Sequence, residues 1–513
     1  MMAANQVQST FQYPSQISSQ PKQRDLGLAK WSVIINEGLW SPRHFDIIIM
    51  EFLGYALRGK VSKIMLGVPS RHGKSTLISK NFASYFLAHY PNDQVILSSY
   101  SQALASEFGG EVKDIINTYG YLSRKNPVVR PDSKAKNKFK LFNPDPNGKK
   151  YHGQMLSVGS MGSILGFGAG LFIIDDPIKN IADAESSILQ AKLRDWFEST
   201  AKSRLQKRTN KLPPIMLVIA QRLHLKDLHG IIKDLEPVIS AKEALSILRN
   251  GGTIDPNTWV DLNFPAICED PTIDLLGRKQ GEVLWEEQRS YDWLMAEKKA
   301  MGSYLFNSIY QGNPIERDGN IFKREWFQDI TTNKITCLVK PSDVPTNTRR
   351  IRYWDFAASG DEGDATAGLL TTWDGNTLYF LDLKYGHYTT SQLLKTYKKI
   401  TLIDGKMIRS LIEQEPGSAS KVLIETFRKD SDFKKERIKI KADKVKYAKN
   451  IRSFQLEALC EDRQVKMVPA WWNTLLIDQL VSFTGQEGKP DDITDVCTGS
   501  ARYWTRPRRG VLV

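Results

Sequence analysis

The sequence predicts an α/β protein built from two successive sheet-containing units. Three observations predict it. Short apolar runs recur along the chain and end in polar or acidic residues, as buried parallel strands do. The first run leads into a Gly-Lys-Ser loop and then a helical pattern. A second set of strands in the C-terminal half ends in carboxylates.

The first element is Ile64-Met65-Leu66-Gly67, followed by Val68 to Ser75, which reads VPSRHGKS. A strand, a short loop and a helix opening at Gly73-Lys74-Ser75-Thr76 form a phosphate-binding loop. Its amides and the helix N-terminus attract phosphate oxygens. Lys74 reaches the β/γ-phosphates and the Ser75 hydroxyl sits on Mg²⁺. Ser70, Arg71, His72, Gly73, Lys74, Ser75 and Thr76 are the expected nucleotide-binding residues. The strict motif asks for glycine four residues before Gly73, where this chain has Val68.

Gln94 to Tyr100 reads as the next buried strand. A glycine-rich stretch (Gly159, Gly162, Gly166, Gly168, Gly170) precedes Leu171-Phe172-Ile173-Ile174, which runs into Asp175-Asp176-Pro177. An apolar run ending in carboxylates suits a central strand covered on both faces, its C-terminal end opening at the ligand crevice. Asp175 is then expected to hold Mg²⁺ through its water shell. Asp176 is the candidate to polarise the attacking water, with Glu185 as the second candidate. Pro214 to Ala220 is a further buried strand, ending in Gln221-Arg222 as a candidate sensor of hydrolysis. An arginine finger has four sources: Arg194, Arg204, Arg222 or a neighbouring subunit.

In the second half, Arg352-Tyr353-Trp354 leads into Asp355. Asp364 to Thr372 and Asn376 to Asp382 read as two strands joined by the turn Trp373-Asp374-Gly375-Asn376. Ser410-Leu411-Ile412 ends in Glu413-Gln414-Glu415, and Asp491-Asp492-Ile493-Thr494-Asp495-Val496 opens a helix. Carboxylates on the first strand, a later strand and a closing helix make a ribonuclease H-like metal site. Such sites hold two Mg²⁺ or Mn²⁺ ions ~4 Å apart at a phosphodiester. Oxygen ligands suffice for these cations. Helical spacing puts Asp491 and Asp495 on one face and Asp492 about 100° away. It leaves open whether Asp491 with Asp495, or Asp492 alone, binds metal.

The chain has 513 residues and a net charge of +14. That length exceeds one core, and the basic balance fits a polyanion partner. Lys434 to Lys449 and Arg452 form a basic run that reads as a phosphate-tracking surface. Trp471-Trp472, followed by Leu475-Leu476, reads as core. The four cysteines are scattered with no C-x-x-C pair, which argues against zinc and a disulfide framework and suits a reducing cytoplasm. No uninterrupted apolar stretch of ~18 residues occurs, so no membrane span is expected. Residues 1–25 read as a flexible leader or partner-binding arm, 26–313 as the ATPase domain with a small linker subdomain, 314–348 as the interdomain connection, 349–505 as the nuclease domain and 506–513 as a basic tail.

The combined pattern resembles the large terminase subunit of tailed bacteriophages over about residues 40 to 505. The resemblance rests on Ser41-Pro42-Arg43-His44, VPSRHGKS, SSYSQALA (98–105), LFIIDDPIKN (171–180), AQRLHLKDLHG (220–230), YWDFAASGDEGDATAG (353–368), IEQEPGSASK (412–421) and PDDITDV (490–496). The variant phosphate loop is typical of that family. The resemblance implies a P-loop NTPase domain followed by a ribonuclease H-like domain, with ATP and Mg²⁺ as cofactors. It also implies an ATPase that drives double-stranded DNA into a procapsid and a nuclease that cuts concatemeric DNA. By position, Arg71 lies near the γ-phosphate, Asp176 is the catalytic carboxylate, and Asp355, Glu413 and the Asp491–Asp495 group are nuclease ligands. The implied partners are DNA, a portal protein, a small terminase subunit and further copies in a ring, a pentamer by the family's habit. The implied location is the host cytoplasm, with transient attachment to the procapsid. The rivals are a helicase or repair ATPase fused to a metal-dependent nuclease, and an integrase-like enzyme with an ATP-dependent assembly switch.

Overall fold

The structure is a computed structural model. It describes residues 26–164, 166–315, 320–356, 365–414, 420–445, 448–485 and 491–506. The leader expected at 1–25, the basic tail beyond Arg506, and Asp364, Glu415 and Lys446 lie outside the described residues.

The N-terminal sheet has nine strands. They are β1 (Lys63–Gly67), β2 (Gln94–Ser99), β3 (Val128–Val129), β4 (Lys138–Phe142), β5 (Gln154–Gly159), β6 (Leu171–Asp175), β7 (Ile215–Ala220), β8 (Val238–Ser240) and β9 (Trp259–Asn263). Their spatial order is β3-β4-β5-β2-β6-β7-β1-β9-β8. Strands β5, β2, β6, β7, β1, β9 and β8 run parallel, and β3 and β4 add an antiparallel edge. β6 and β7 are buried along their whole length, the consequence of apolar residues at both alternations. Parallel register brings the ends of β1, β6 and β7 to one edge of the sheet.

The C-terminal sheet has six strands: β10 (Arg350–Asp355), β11 (Thr366–Trp373), β12 (Leu378–Gly386), β13 (Ile408–Gln414), β14 (Ile440–Lys444) and β15 (Val465–Met467). Their order is β14-β13-β10-β11-β12-β15. β10, β11 and β12 form an antiparallel meander and β13 joins β10 in parallel. The turn read at Trp373–Asn376 connects β11 and β12. Trp354 pairs with Ile412, so Asp355 and Glu413 end neighbouring strands at the same level. The helix Asp492–Thr505 packs against the same sheet, and Gly499 lets it approach the ring of Tyr353.

Ile321, Phe322, Phe327 and Cys337 lie in the C-terminal core. The two sheet-bearing units meet where the helix Tyr291–Ile309 packs on Phe454–Glu461. Tyr304 stacks on Phe454 at 6.1 Å, Lys299 pairs with Asp462 at 3.0 Å, and the Ser303 amide donates to Glu461 at 2.9 Å. That amide is freed by a break at Gly302, whose φ of 79° a residue with a Cβ would adopt only with strain. Among the described residues no helix is long and apolar enough to cross a membrane.

Candidate ATPase and nuclease sites

The phosphate loop leaves β1 and returns through two left-handed residues, Arg71 (φ 64°) and Gly73 (φ 81°), before a helix opens at Lys74. The first turns of this helix, Thr76–Phe82, are wound as π-helix and continue as α-helix over Ala83–His89. Arg71 is exposed. His72 points the other way. Its ring is buried near Phe45 and Trp285, and its Nδ1 lies 2.9 Å from the Ser70 carbonyl. Burial, opposed by that hydrogen bond, pushes its pKa down to about 4. A neutral imidazole locked into the wall shapes the loop from behind, so the part left to His72 in binding phosphate is its backbone amide. Arg43 braces the same loop. Its guanidinium lies 4.3 Å from the Trp285 ring, bonds Asp46 at 2.5 Å and stands where a Cβ on Gly73 would go.

The loop meets the two acids at the end of β6. Lys74 Nζ lies 2.8 Å from Asp176 Oδ2. Ser75 Oγ donates to Asp175 Oδ1 at 3.1 Å and Ser79 Oγ to Asp175 Oδ2 at 2.6 Å. Burial, reinforced by the neighbouring charge of Asp176, raises the Asp175 pKa to about 7. Asp176 has a left-handed backbone (φ 43°), and its Oδ1 accepts the Gln221 amide at 2.8 Å. Oxygen donors at Ser75 and Asp175 fit a hydrated Mg²⁺. Ser79 is a contact the sequence reading missed. Its spacing of four from Ser75, on one helical face, was the available signal.

Two expectations are corrected. Arg222 is buried in an ion pair with Asp227 at 2.9 Å, so its guanidinium is not available as a finger. Glu185 turns away from the phosphate loop: its Oε1 accepts from the Tyr304 hydroxyl at 2.9 Å and its Oε2 from Asn450 Nδ2 at 3.3 Å.

At the second site, Asp355, Glu413, Asp492 and Asp495 converge. Burial and the charges of Glu413, Asp495 and Asp492 raise the Asp355 pKa well above the carboxylate range. Burial raises Glu413 and Asp495 as well. Crowded oxygen donors whose repulsion is relieved by positive charge are the chemistry divalent cations bind. In the structure that charge comes from the chain itself. Lys449 Nζ lies 2.6 Å from Asp491 Oδ2 and 2.7 Å from Asp495 Oδ2. Arg452 contacts Glu413 and lies 3.6 Å from Asp495. Burial opposes the Lys449 ammonium, but Asp495 and Asp491 outweigh it and hold its pKa raised. Among the described residues no three His, Cys, Asp or Glu side chains are grouped so as to hold a metal ion. Both cations were read as part of a phosphate-tracking surface, and the structure corrects that. Lys434, Arg437, Lys439, Lys441 and Lys444 do stay exposed, the last two on the edge strand β14.

Asp443 is a further acid the sequence did not single out. It accepts from Tyr353 at 2.8 Å and Arg502 at 2.6 Å and pairs with Arg506 at 3.0 Å, while Tyr353 also donates to Glu413 at 3.2 Å. Of the tryptophan pair, Trp472 is core and Trp471 is exposed.

Residues 352–499 match the family of the terminase RNaseH-like domain. No curated protein matches the chain. Among solved structures, the large terminase of a thermophilic bacteriophage in complex with ATP-gamma-S is 11% identical, with 89% of this chain and 98% of that one covered and a TM-score of 0.45. The HK97 bacteriophage large terminase is 13% identical over 94% and 100%, at 0.35. The large terminase ATPase domain of Thermus phage P74-26 is 13% identical over 55% and 97%, at 0.36. Residues 352–499, under a third of the chain, thus carry the terminase RNaseH-like domain.

Proposed function

We propose that this chain is the packaging motor subunit of a tailed phage, an ATPase that drives double-stranded DNA into a procapsid and a nuclease that cuts the concatemer. The observation that carries this reading is the pairing of two sites in one chain. A phosphate loop faces Asp175 and Asp176, and a terminase RNaseH-like domain gathers Asp355, Glu413 and Asp495. The division we infer is 26–313 for the ATPase, 314–348 for a connection whose Ile321, Phe322, Phe327 and Cys337 pack into the nuclease core, and 349–505 for the nuclease.

At the ATPase site, loop amides and Lys74 hold the β- and γ-phosphates, with Arg71 exposed beside them. Ser75 and Asp175 hold the Mg²⁺ that accompanies ATP. When the γ-phosphate draws Lys74 toward itself, the Asp176 carboxylate loses its ion-pair partner and is left to orient the attacking water. The Gln221 amide, which donates to that carboxylate, carries the change to the end of β7. At the nuclease site, Asp355, Glu413 and Asp495, with Asp492 beside them, would hold divalent cations. Bound cations there stabilise charge on the scissile phosphate. The exposed lysines of β14 and the segment before it bind the DNA backbone. The portal protein, a small terminase subunit and a ring of copies, a pentamer by family habit, complete the motor in the host cytoplasm.

Portal-bearing procapsids, linear DNA and ATP test the reading. DNA should become protected from added DNase with the native chain and stay exposed with Lys74→Ala. ATP-dependent unwinding of a tailed duplex without procapsids would instead support the helicase reading.

A further inference from the structure

One short helix, Lys449–Arg452, touches both the carboxylate cluster and a residue of the ATPase domain. Lys449 bridges Asp491 and Asp495, and Arg452, one turn on, contacts Glu413 and Asp495. Between them Asn450 reaches across the domain boundary, and its Nδ2 donates to Glu185 Oε2 at 3.3 Å. Glu185 follows Asp175 by ten residues and is steadied on its other oxygen by Tyr304. Asn450 is also fixed within its own domain: Ser453 Oγ donates to its carbonyl at 2.7 Å and its own Oδ1 accepts the Ile451 amide at 2.9 Å. A displacement of the Asn450 side chain is therefore transmitted to the turn that carries both cations.

We propose that Lys449–Arg452 is an autoinhibitory latch: its ammonium and guanidinium occupy the carboxylate cluster while Glu185 of the ATPase domain holds Asn450, and loss of that contact lets the turn withdraw and divalent cations enter. The proposal rests on reading Asp355, Glu413 and Asp495 as the metal-binding cluster. The physical basis is competition. Lys449, Arg452 and a divalent cation neutralise the same carboxylates, and at such short range they cannot share them. Among the described residues Asp355 has no ion pair with either cation and is the acid of the cluster they leave unneutralised by direct contact. The contact that sets the competition lies in the ATPase domain, so movement of Glu185 biases the nuclease without touching its carboxylates.

The test measures Mn²⁺ binding to the full chain by electron paramagnetic resonance of free Mn²⁺, without nucleotide. The component lost in Asp355→Asn is taken as the nuclease site. Lys449→Met keeps the side chain's length and removes its charge; it should tighten that component by about tenfold or more. Asn450→Asp sets a like charge against Glu185 and should tighten it by about fivefold, within the usual range of coupling between sites. Nicking of supercoiled plasmid in limiting Mn²⁺ should rise in the same order. Unchanged or weaker Mn²⁺ binding in both variants overturns the latch. If Lys449→Met does not fold, Asn450→Asp decides alone, since it leaves the cluster's own charges intact. If Asp355→Asn removes no Mn²⁺ binding in any background, the reading of the cluster as a metal site fails, and the latch with it.

Discussion

Lys74 Nζ and Asp176 Oδ2 stand 2.8 Å apart, joining the phosphate loop to the acidic end of β6. The pair links the group that must reach phosphate to the group that must reach water, and neither task can start while each satisfies the other. Lys74→Ala should lower DNA-stimulated ATP hydrolysis by about 10²-fold or more, since it removes a charge aimed at the transferring phosphoryl group. Metal-dependent nicking of plasmid should survive. Asp355→Ala should show the reverse. Phosphate release and plasmid topology, measured on the same preparations, check both; joint loss of the two activities in a folded variant would defeat the two-site model.

The strands were legible because each is a short apolar run with an abrupt polar end. β6 and β10 fell within a residue or two of their expected limits, and Asp175, Asp355 and Glu413 were placed by the strands that end in them. The edge strands β3 and β8, two and three residues long, carry too little pattern to read. The roles of Lys449, Arg452 and Glu185 were out of reach for another reason. Each is set by a partner tens to hundreds of residues away: Lys449 by Asp491, Arg452 by Glu413, Glu185 by Asn450. Local spacing reads a lysine within a basic run as surface, and only the packing of the final helix against β10 turns it inward. Arg222 illustrates the same limit, since the Asp227 pair that removes it from the site also caps the next helix.

Asp227 does several jobs in a buried setting. It pairs with Arg222, accepts the Leu223 amide at 3.0 Å and caps the helix Leu228–Leu235 through the Gly230 amide at 3.1 Å. Burial opposes its charge, yet Arg222 outweighs this and holds its pKa below the usual carboxylate value. Asp227→Ala strands a buried guanidinium and uncaps a helix. It should cost the ATPase domain about 3–5 kcal/mol, read as a lower urea midpoint for that domain's transition.

Gly499 lies where the final helix meets the Tyr353 ring of β10. A Cβ there would collide with the Tyr353 ring. The same helix carries Asp492 and Asp495, and Tyr353 hydrogen-bonds Glu413 and Asp443. Gly499→Ala should push the helix off the sheet, destabilise the nuclease domain by about 1–3 kcal/mol and reduce nicking, with ATP hydrolysis retained. Equal urea midpoints for variant and parent would show that the sheet and helix have room to spare.

His229 lies fully inside the ATPase domain, beside Arg222, Asp227, Asp261 and Lys233, and burial pushes its pKa down to about 4, with Arg222 adding to the effect. Among the described residues its Nε2 has no hydrogen-bond partner. The folded chain therefore holds this ring neutral across a range where the unfolded chain protonates it. Below the ordinary histidine value of 6.5 the unfolded state binds the extra proton, so stability falls as pH drops from 6.5 to about 4 and levels off beneath that. Above 6.5 the group contributes no pH dependence. The full effect is on the order of 3 kcal/mol. His229→Gln, which cannot titrate, should flatten the part of the melting-temperature profile between pH 6.5 and about 4 that this ring contributes. His72, neutral for the same reason at the back of the phosphate loop, contributes a slope of the same sign that this variant retains. Asp175, raised from 3.8 to about 7, contributes the opposite slope through the same window, so the ring is read from the difference between the native and His229→Gln profiles. A difference that does not change between pH 6.5 and about 4 would mean that His229 is not held neutral.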